Sequence, residues 1–144
     1  LLNASRLLPF DFVKKLGEGA FGRVYQLKRW EDGSGVALKD QLPPSLPELV
    51  KLEDEARLQE KASNRHVVKC EGGFRVGLHF CMLTELCPGG ELGAWLKDMS
   101  NKANCDGTPP PDIWRVITEC IEGLVHIHSK LVIHRDLKPQ VRFP

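Results

Sequence analysis

The sequence lacks long apolar runs, a large charge of one sign and a paired cysteine motif. No stretch approaches the roughly 18 apolar residues of a membrane span, and Asn3, Ser5 and Arg6 interrupt the apolar start of the chain. We therefore expect neither a transmembrane helix nor a signal peptide. The formal net charge is only +1, so electrostatics give no reason to expect nucleic acid or an anionic membrane as a partner.

The cysteines form no recognisable framework. There are five, an odd number, with no CxxC pair and no spacing typical of a metal site. This usage indicates reduced thiols in a cytoplasmic or nuclear protein. Hydrophobic residues make up 42% and charged residues 27% of the 144 residues. Those percentages are typical of a globular protein. The length allows one domain with a core of its own, or a small domain with part of another.

The strongest local signal is the stretch Leu131–Pro139, which reads LVIHRDLKP. Three apolar residues precede its charged cluster and Leu137 follows, so the pattern predicts a short loop held between buried anchors. A carboxylate such as Asp136, flanked by Arg135 and Lys138, stays ionised at neutral pH and can accept a proton from a hydroxyl. Lys138 can hold a phosphate beside it. The stretch therefore predicts a catalytic site.

A glycine-rich segment lies near the start of the chain. Three glycines stand at G-x-G-x-x-G spacing: Gly17, Gly19 and Gly22. Such a backbone can fold closely over phosphates. The alternative, a dinucleotide-binding turn, requires the glycines to open a helix. Here they separate a strand-like segment that ends at Leu16 from another that carries Val24 and Tyr25, which favours a strand, glycine loop and strand.

Lys39 closes a short apolar strand that begins at Val36. A lysine in that position is costly unless an anion meets it, so a ligand phosphate and a carboxylate are both implied. The alternative is a strand-end lysine that reaches water. Ser45 and Glu48 then form a capping-box pattern that predicts a helix to about Ala62. On this helix three consecutive carboxylates compete for Lys39: Glu53, Asp54 and Glu55.

The rest of the chain predicts two more strands and two helices. Residues 71–73 read as a turn before strands at 74–76 and 79–84, which complete a five-stranded antiparallel sheet beside one helix. A short helix is expected at 91–99, an irregular insertion at 100–111, and a helix capped by Asp112. Its apolar stripe comprises Ile113, Val116, Ile117, Cys120, Leu124 and Ile127. His126 and His128 are two residues apart and do not share a helix face, which argues against a metal site with His134.

Five features, taken in order, resemble those of the eukaryotic protein kinases of serine/threonine type: GEGAFGRV, VALK, the helix carboxylate, the segment 85–92 and HRDLKP. The likeness covers about residues 10–140, and HRDLKPQ with the Trp114 helix is most similar to NIMA-related kinases. It implies an α+β, two-lobe fold with a partial kinase domain at 10–144. Residues 10–87 are then the N-lobe, and 88–144 begin a helical C-lobe.

The resemblance also implies transfer of the ATP γ-phosphate to protein serine or threonine, with Mg²⁺. It assigns Lys39 to the phosphates, selects Glu55 as its partner, and makes Lys39, Asp136 and Lys138 catalytic. Thr84 becomes a gatekeeper before a hinge that includes Glu85 and Cys87, although Cys87 has the simpler interpretation of a packed thiol. The remaining nucleotide contacts are Leu16, Gly17, Gly19, Gly22, Val24 and Ala37.

Two positions depart from the family pattern. Gln59, four residues after Glu55, stands where the family usually buries an apolar side chain. Val141 stands where the family has a magnesium-binding asparagine, and no Asp-Phe-Gly follows. We expect a fragment or an imperfect gene model, and no measurable kinase activity from the 144 residues as written. The alternative is a non-catalytic kinase-like fragment that binds a nucleotide or a partner; the sequence leaves the oligomeric state open.

Overall fold

A computed structural model of the chain describes residues 9–19, 22–101 and 111–138. The elements in order are β1 (Phe10–Gly19), β2 (Gly22–Arg29), β3 (Gly35–Gln41), α1 (Leu46–Lys61), β4 (Cys70–Val76), β5 (His79–Glu85), α2 (Leu92–Asn101) and α3 (Pro111–Ser129). The chain forms two compact units. The first runs to residue 63 and includes 68–86, and the second combines 64–67 with the chain from residue 87 onward.

All five strands lie in one antiparallel sheet of order β1-β2-β3-β5-β4. The predicted α+β class and five-stranded sheet are therefore confirmed. The glycine segment differs in detail from the predicted loop. Gly17 pairs with Val24 and Gly19 with Gly22, so these glycines extend the β1–β2 hairpin. Ala20 and Phe21 lie outside the described residues.

The alternation of side chains along β3 separates two apolar clusters. Val36 and Leu38 point to one face, where they pack with a buried cluster that also contains Leu27, Phe74, Cys81 and Leu83. Ala37 and Lys39 point to the other face. That face carries the second cluster, formed by Ala56, Cys70, Phe80 and Met82 with Leu49 and Leu52 of α1 against it. The sheet therefore has an apolar core on one side and α1 on the other.

An ion pair between strands that are not neighbours indicates that the sheet is curved. Arg29 on β2 contacts Glu71 on β4, although β3 and β5 lie between those strands. Each of the two side chains is only 25% exposed. The guanidinium of Arg29 also lies 5.3 Å from the ring centroid of Phe10, within cation–π range. These contacts close the sheet over the cluster of Leu27 and Phe74.

Helix α1 begins as its capping pattern predicted. Ser45 is the N-cap, and its hydroxyl accepts a hydrogen bond from the backbone N–H of Glu48 at 3.5 Å. Helix α3 differs from the prediction, because it begins at Pro111 and places Asp112 inside the first turn. A carboxylate there still interacts favourably with the helix dipole. None of the described helices is long and apolar enough to cross a membrane.

The predicted turn at 71–73 is wrong, because Gly72 and Gly73 lie within β4. Gly72 has a φ of +119°, next to a register shift in the pairing of β4 with β5. At Gly73 a Cβ would lie 2.3 Å from Cζ of Phe80 and 3.2 Å from Cβ of Ala56. Glycine is thus required there because the Phe80 ring and α1 approach the strand closely.

Two cysteines in the first unit have raised pKa values. Burial raises the pKa of Cys81 to about 11, with a smaller contribution from the nearby charge of Asp40. Burial also raises the pKa of Cys70. Cys70, Cys81 and Cys120 are free thiols. Cys70 and Cys81 are core residues that resist ionisation and react slowly as nucleophiles.

We expect Gly73→Ala to lower the free energy of unfolding by about 1–3 kcal/mol, because the added methyl overpacks the core. Urea denaturation measures the change. Gly17→Ala is the matched control, since no atom lies within 4 Å of a Cβ at that position, and its effect should stay within about 0.5 kcal/mol. In a double-mutant cycle, Phe80→Leu should cost less in the Gly73→Ala background than alone. Additive losses, or equal losses at the two glycines, would contradict the steric explanation.

Candidate functional site

The first unit places the expected adenine-contacting residues and Lys39 on one face of the sheet. Val24 pairs with Lys39 across β2 and β3, and Ala37 pairs with Thr84 across β3 and β5. Directly paired residues in antiparallel strands project to the same face. Lys39 also pairs with Met82, which belongs to the cluster under α1. Two small apolar positions, a threonine and a lysine therefore share the α1 face of the sheet.

Helix α1 brings one of its three consecutive carboxylates to that lysine. Oε1 of Glu55 lies 3.2 Å from Nζ of Lys39, whose side chain is 27% exposed. Asp54 instead pairs with Arg57 at 3.1 Å on the helix surface. Glu53 turns to the sheet, where Arg75 donates two hydrogen bonds to its Oε1 at 2.9 and 2.6 Å. Successive residues point about 100° apart around a helix, so only Glu55 meets Lys39.

The glycine hairpin combines open backbone with one close approach. A Cβ at Gly17 or Gly19 would have no neighbour within 4 Å, whereas a Cβ at Gly22 would lie 2.2 Å from the carbonyl oxygen of Asp40. Gly22 also has a φ of +111°, which side chains rarely tolerate. The backbone of Gly17 and Gly19 is thus open to a ligand, while Gly22 is needed for packing against β3.

Glu18 lies within this hairpin and is held by two cations. Hydrogen bonds from Lys15 and Arg23 lower the pKa of the Glu18 carboxyl. The same contact with Glu18 raises the pKa of Arg23. The carboxylate is exposed, so this pairing orders the hairpin surface rather than the core.

The end of β5 carries the residues expected at the hinge. The backbone N–H of Glu85 donates to the carbonyl of Lys69 at 2.9 Å, and the backbone N–H of Lys69 donates to Oε1 of Glu85 at 2.7 Å. This reciprocal pair fixes Glu85 at the strand end, next to the half-buried Thr84. Leu16 is half-buried in β1, and Cys87 in the second unit is buried. Their nucleotide-binding roles stay predictions.

In the second unit the residues of the HRD segment contact one another. Nζ of Lys138 lies 2.6 Å from Oδ2 of Asp136. The backbone N–H of Asp136 lies 3.3 Å from Nδ1 of His134, and Arg135 has a φ of +62°. The carboxylate and the lysine expected to act in catalysis are thus adjacent and exposed to solvent.

The expectation that apolar anchors bury this loop on both sides is wrong for the described structure. Leu131 is 94% exposed, Ile133 66% and Leu137 57%. Apolar side chains become buried only where another surface covers them, and the described helices of this unit do not cover these three.

The apolar stripe of α3 is divided between buried and exposed positions. Ile127 is buried, and Ile113, Val116, Cys120 and Leu124 are half-buried, but Ile117 is 42% exposed. Ile117 instead joins an exposed apolar row with Trp114, Ile121 and Val125. Residues at spacings of three and four share one helix face. The stripe was thus correctly located except at Ile117.

A second set of contacts in this unit was not expected from the sequence. Nε2 of His66 lies 2.8 Å from Oε2 of Glu122. A Cβ at Gly123 would lie 2.9 Å from the carbonyl oxygen of His66, so the segment 64–67 packs closely on α3. The glycine within an otherwise helical pattern was the only signal for this contact.

No metal cluster occurs in the part of the chain that the structure describes, where no three or more His, Cys, Asp or Glu side chains could hold an ion. Val141, which replaces the family asparagine, lies outside the described residues.

A sequence model of the protein kinase domain matches residues 10–141. The chain belongs to the protein kinase family. Human serine/threonine-protein kinase 10 is 33% identical over 90% of the chain, and its counterpart in Xenopus tropicalis is 30% identical over the same share. Serine/threonine-protein kinase TIO of Arabidopsis thaliana is 29% identical over 91% of the chain.

These kinase relatives are much longer proteins. The chain spans 13% of the length of human serine/threonine-protein kinase 10 and 10% of the Arabidopsis relative. The resemblance to serine/threonine kinases is confirmed at the level of the family. The narrower expectation of a NIMA-related subfamily stays a prediction.

We expect Glu53→Gln to lower the free energy of unfolding by about 1–3 kcal/mol, because a carboxylate with two hydrogen bonds from Arg75 is replaced. Asp54→Asn is the neighbouring control: Asp54 and Arg57 are each 58% exposed, and such pairs contribute about 0–1 kcal/mol. Thermal and urea unfolding of the two variants make the comparison. A loss at Asp54 as large as that at Glu53 would contradict the assignment of these carboxylates.

Proposed function

We propose that this kinase chain binds ATP and serves the transfer of the γ-phosphoryl group to serine or threonine hydroxyls of proteins. The observation that carries the proposal is the contact between Lys39 and Glu55 on the sheet face shared by Val24, Ala37 and Thr84. A lysine held by one carboxylate beside small apolar residues suits a ligand with a flat apolar ring and a polyphosphate.

The residues of the first unit would bind the nucleotide and orient its phosphates. Val24 and Ala37 would contact adenine, with Leu16, Thr84 and Glu85 at the edges of the same ring. The family resemblance adds Cys87 of the second unit to the nucleotide contacts. Lys39, oriented by Glu55, would hold the α- and β-phosphates. The open backbone at Gly17 and Gly19 would donate N–H groups to phosphate oxygens.

The residues of the second unit would act on the acceptor hydroxyl. Asp136 would orient the hydroxyl and accept its proton, while Lys138 would neutralise charge on the γ-phosphate. Their side chains already lie in contact. The family uses Mg²⁺, which supplies charge neutralisation at the phosphates when bound. Val141 cannot ligate it, and no group of three or more His, Cys, Asp or Glu side chains among the described residues could hold an ion.

A second candidate function is binding without catalysis. The row formed by Trp114, Ile117, Ile121 and Val125 exposes apolar surface on α3, and such a row suits contact with another protein. We also propose an intracellular location, because Cys70, Cys81 and Cys120 are free thiols.

We expect the 144-residue chain to bind ATP in the presence of Mg²⁺, and Lys39→Met to weaken that binding at least about tenfold, because a charge-assisted contact to phosphate is lost. Isothermal titration calorimetry measures the dissociation constants. Lys51→Met is the matched control: Lys51 lies in the same unit, is 71% exposed and pairs with Glu48, so its loss should leave affinity unchanged. Absence of ATP binding, or equal losses at the two lysines, would overturn the nucleotide site.

Phosphoryl transfer is measured separately, with γ-labelled ATP and a library of serine- and threonine-containing peptides. We expect the 144 residues alone to bind ATP without measurable transfer, because Val141 replaces the metal-binding asparagine. If transfer is measured and Asp136→Asn abolishes it, this polypeptide is itself an active kinase. That result would contradict the expected role of position 141.

A further inference from the structure

Helix α1 contacts the β4 side of the sheet at three positions spaced three residues apart. Glu53 accepts a hydrogen bond from Arg75, Ala56 packs closely against Gly73, and Gln59 donates a hydrogen bond to the carbonyl of Val68. Rising numbers on the helix meet falling numbers on the strand side, so α1 runs antiparallel to β4. Three successive contacts along one face set both the position of the helix along its axis and its rotation.

The contact of Gln59 is polar where the family usually has an apolar side chain. Its Nε2 donates a hydrogen bond to the carbonyl of Val68 at 3.1 Å, in a part-buried setting. The described pairing of β4 with β5 begins at Cys70, so the strand ladder does not satisfy the Val68 carbonyl. A shielded carbonyl without a donor is costly. An apolar side chain of equal size could fill the space but could not provide that donor.

Gln59 lies one helical turn after Glu55, on the same side of α1. The contact of Glu55 with Lys39 is 3.2 Å long, but the Glu55 side chain is 51% exposed. An ion pair with so much solvent exposure contributes little to holding a helix in place. The more shielded contacts that flank it therefore determine whether Glu55 reaches Lys39.

We propose that Gln59 is a positioning residue, whose hydrogen bond to the Val68 carbonyl holds α1 where Glu55 contacts Lys39. The effect on ATP binding rests on the function proposed above, but the effect on Lys39 does not. Loss of the Gln59 amide shifts the last turns of α1, separates Glu55 from Lys39 and leaves the lysine amine open to reagents.

The test measures the acetylation rate of Lys39 by a water-soluble N-hydroxysuccinimide ester, read by mass spectrometry of the native chain. Gln59→Met keeps the size of the side chain and removes the donor. We expect it to raise the Lys39 rate about three- to tenfold, the size expected for one net hydrogen bond. Glu55→Gln should raise the rate similarly, and the double variant should react no faster than Glu55→Gln alone. Lys51, exposed on α1, is the internal reference.

Alkylation of Cys81 in the same samples separates local change from unfolding, because this thiol is buried. A faster reaction of Lys39 with Cys81 still protected supports the proposal. An unchanged Lys39 rate, a rise only in step with Cys81 alkylation, or additive effects of Gln59→Met and Glu55→Gln would overturn it. None of these readouts uses ATP, so a failure of nucleotide binding would overturn the proposed function alone.

Discussion

A lysine shielded from most of the solvent needs an anion, and the first unit is built around that constraint at Lys39. The two-residue period of β3 sends Val36 and Leu38 to the core and turns Lys39 to the opposite face. An element packed on that face must then place a carboxylate within reach of the Lys39 amine. Helix α1 supplies it through Glu55, and the same helix covers the apolar cluster of Phe80 and Met82.

The position of α1 depends on contacts with a different strand from the one that carries Lys39. Glu53 and Gln59 make polar contacts on the β4 side of the sheet, and between them Ala56 packs where Gly73 leaves room. At these three positions α1 joins the sheet by hydrogen bonds and a small residue, while Leu49 and Leu52 add apolar packing against the cluster of Phe80 and Met82. The hydrogen bonds are directional, so they specify one register more strongly than aliphatic packing does.

In the second unit the described structure leaves most of the HRD segment exposed. Asp136 and Lys138 contact each other, since two residues so close in sequence can meet without help from the rest of the fold. Leu131 and Ile133 are exposed, because burial needs a partner surface that the described helices of this unit do not provide. The contact between Asp136 and Lys138 is therefore local, whereas burial of the flanking apolar side chains depends on the tertiary structure.

Much of the fold followed from short-range patterns. The alternation around Val24 and Ala37 predicted strands, Ser45 and Glu48 predicted the start of α1, and the order of motifs indicated the kinase family. These signals were reliable because strand alternation and helix capping arise between residues only a few positions apart. One exception was the segment that contains Gly72 and Gly73, because glycine occurs both in turns and in crowded strands.

The sequence by itself determined which residue types were present for a kinase site and on which elements they lie. The family resemblance already selected Glu55 as the partner of Lys39, and the structure shows that contact. Only the tertiary structure decided other partners: Arg75 for Glu53, the Val68 carbonyl for Gln59, and Glu71 for Arg29, which is 42 residues away. A local pattern records the periodicity of one element. The choice among several nearby charges depends on how elements cross and rotate, which packing of the whole unit sets.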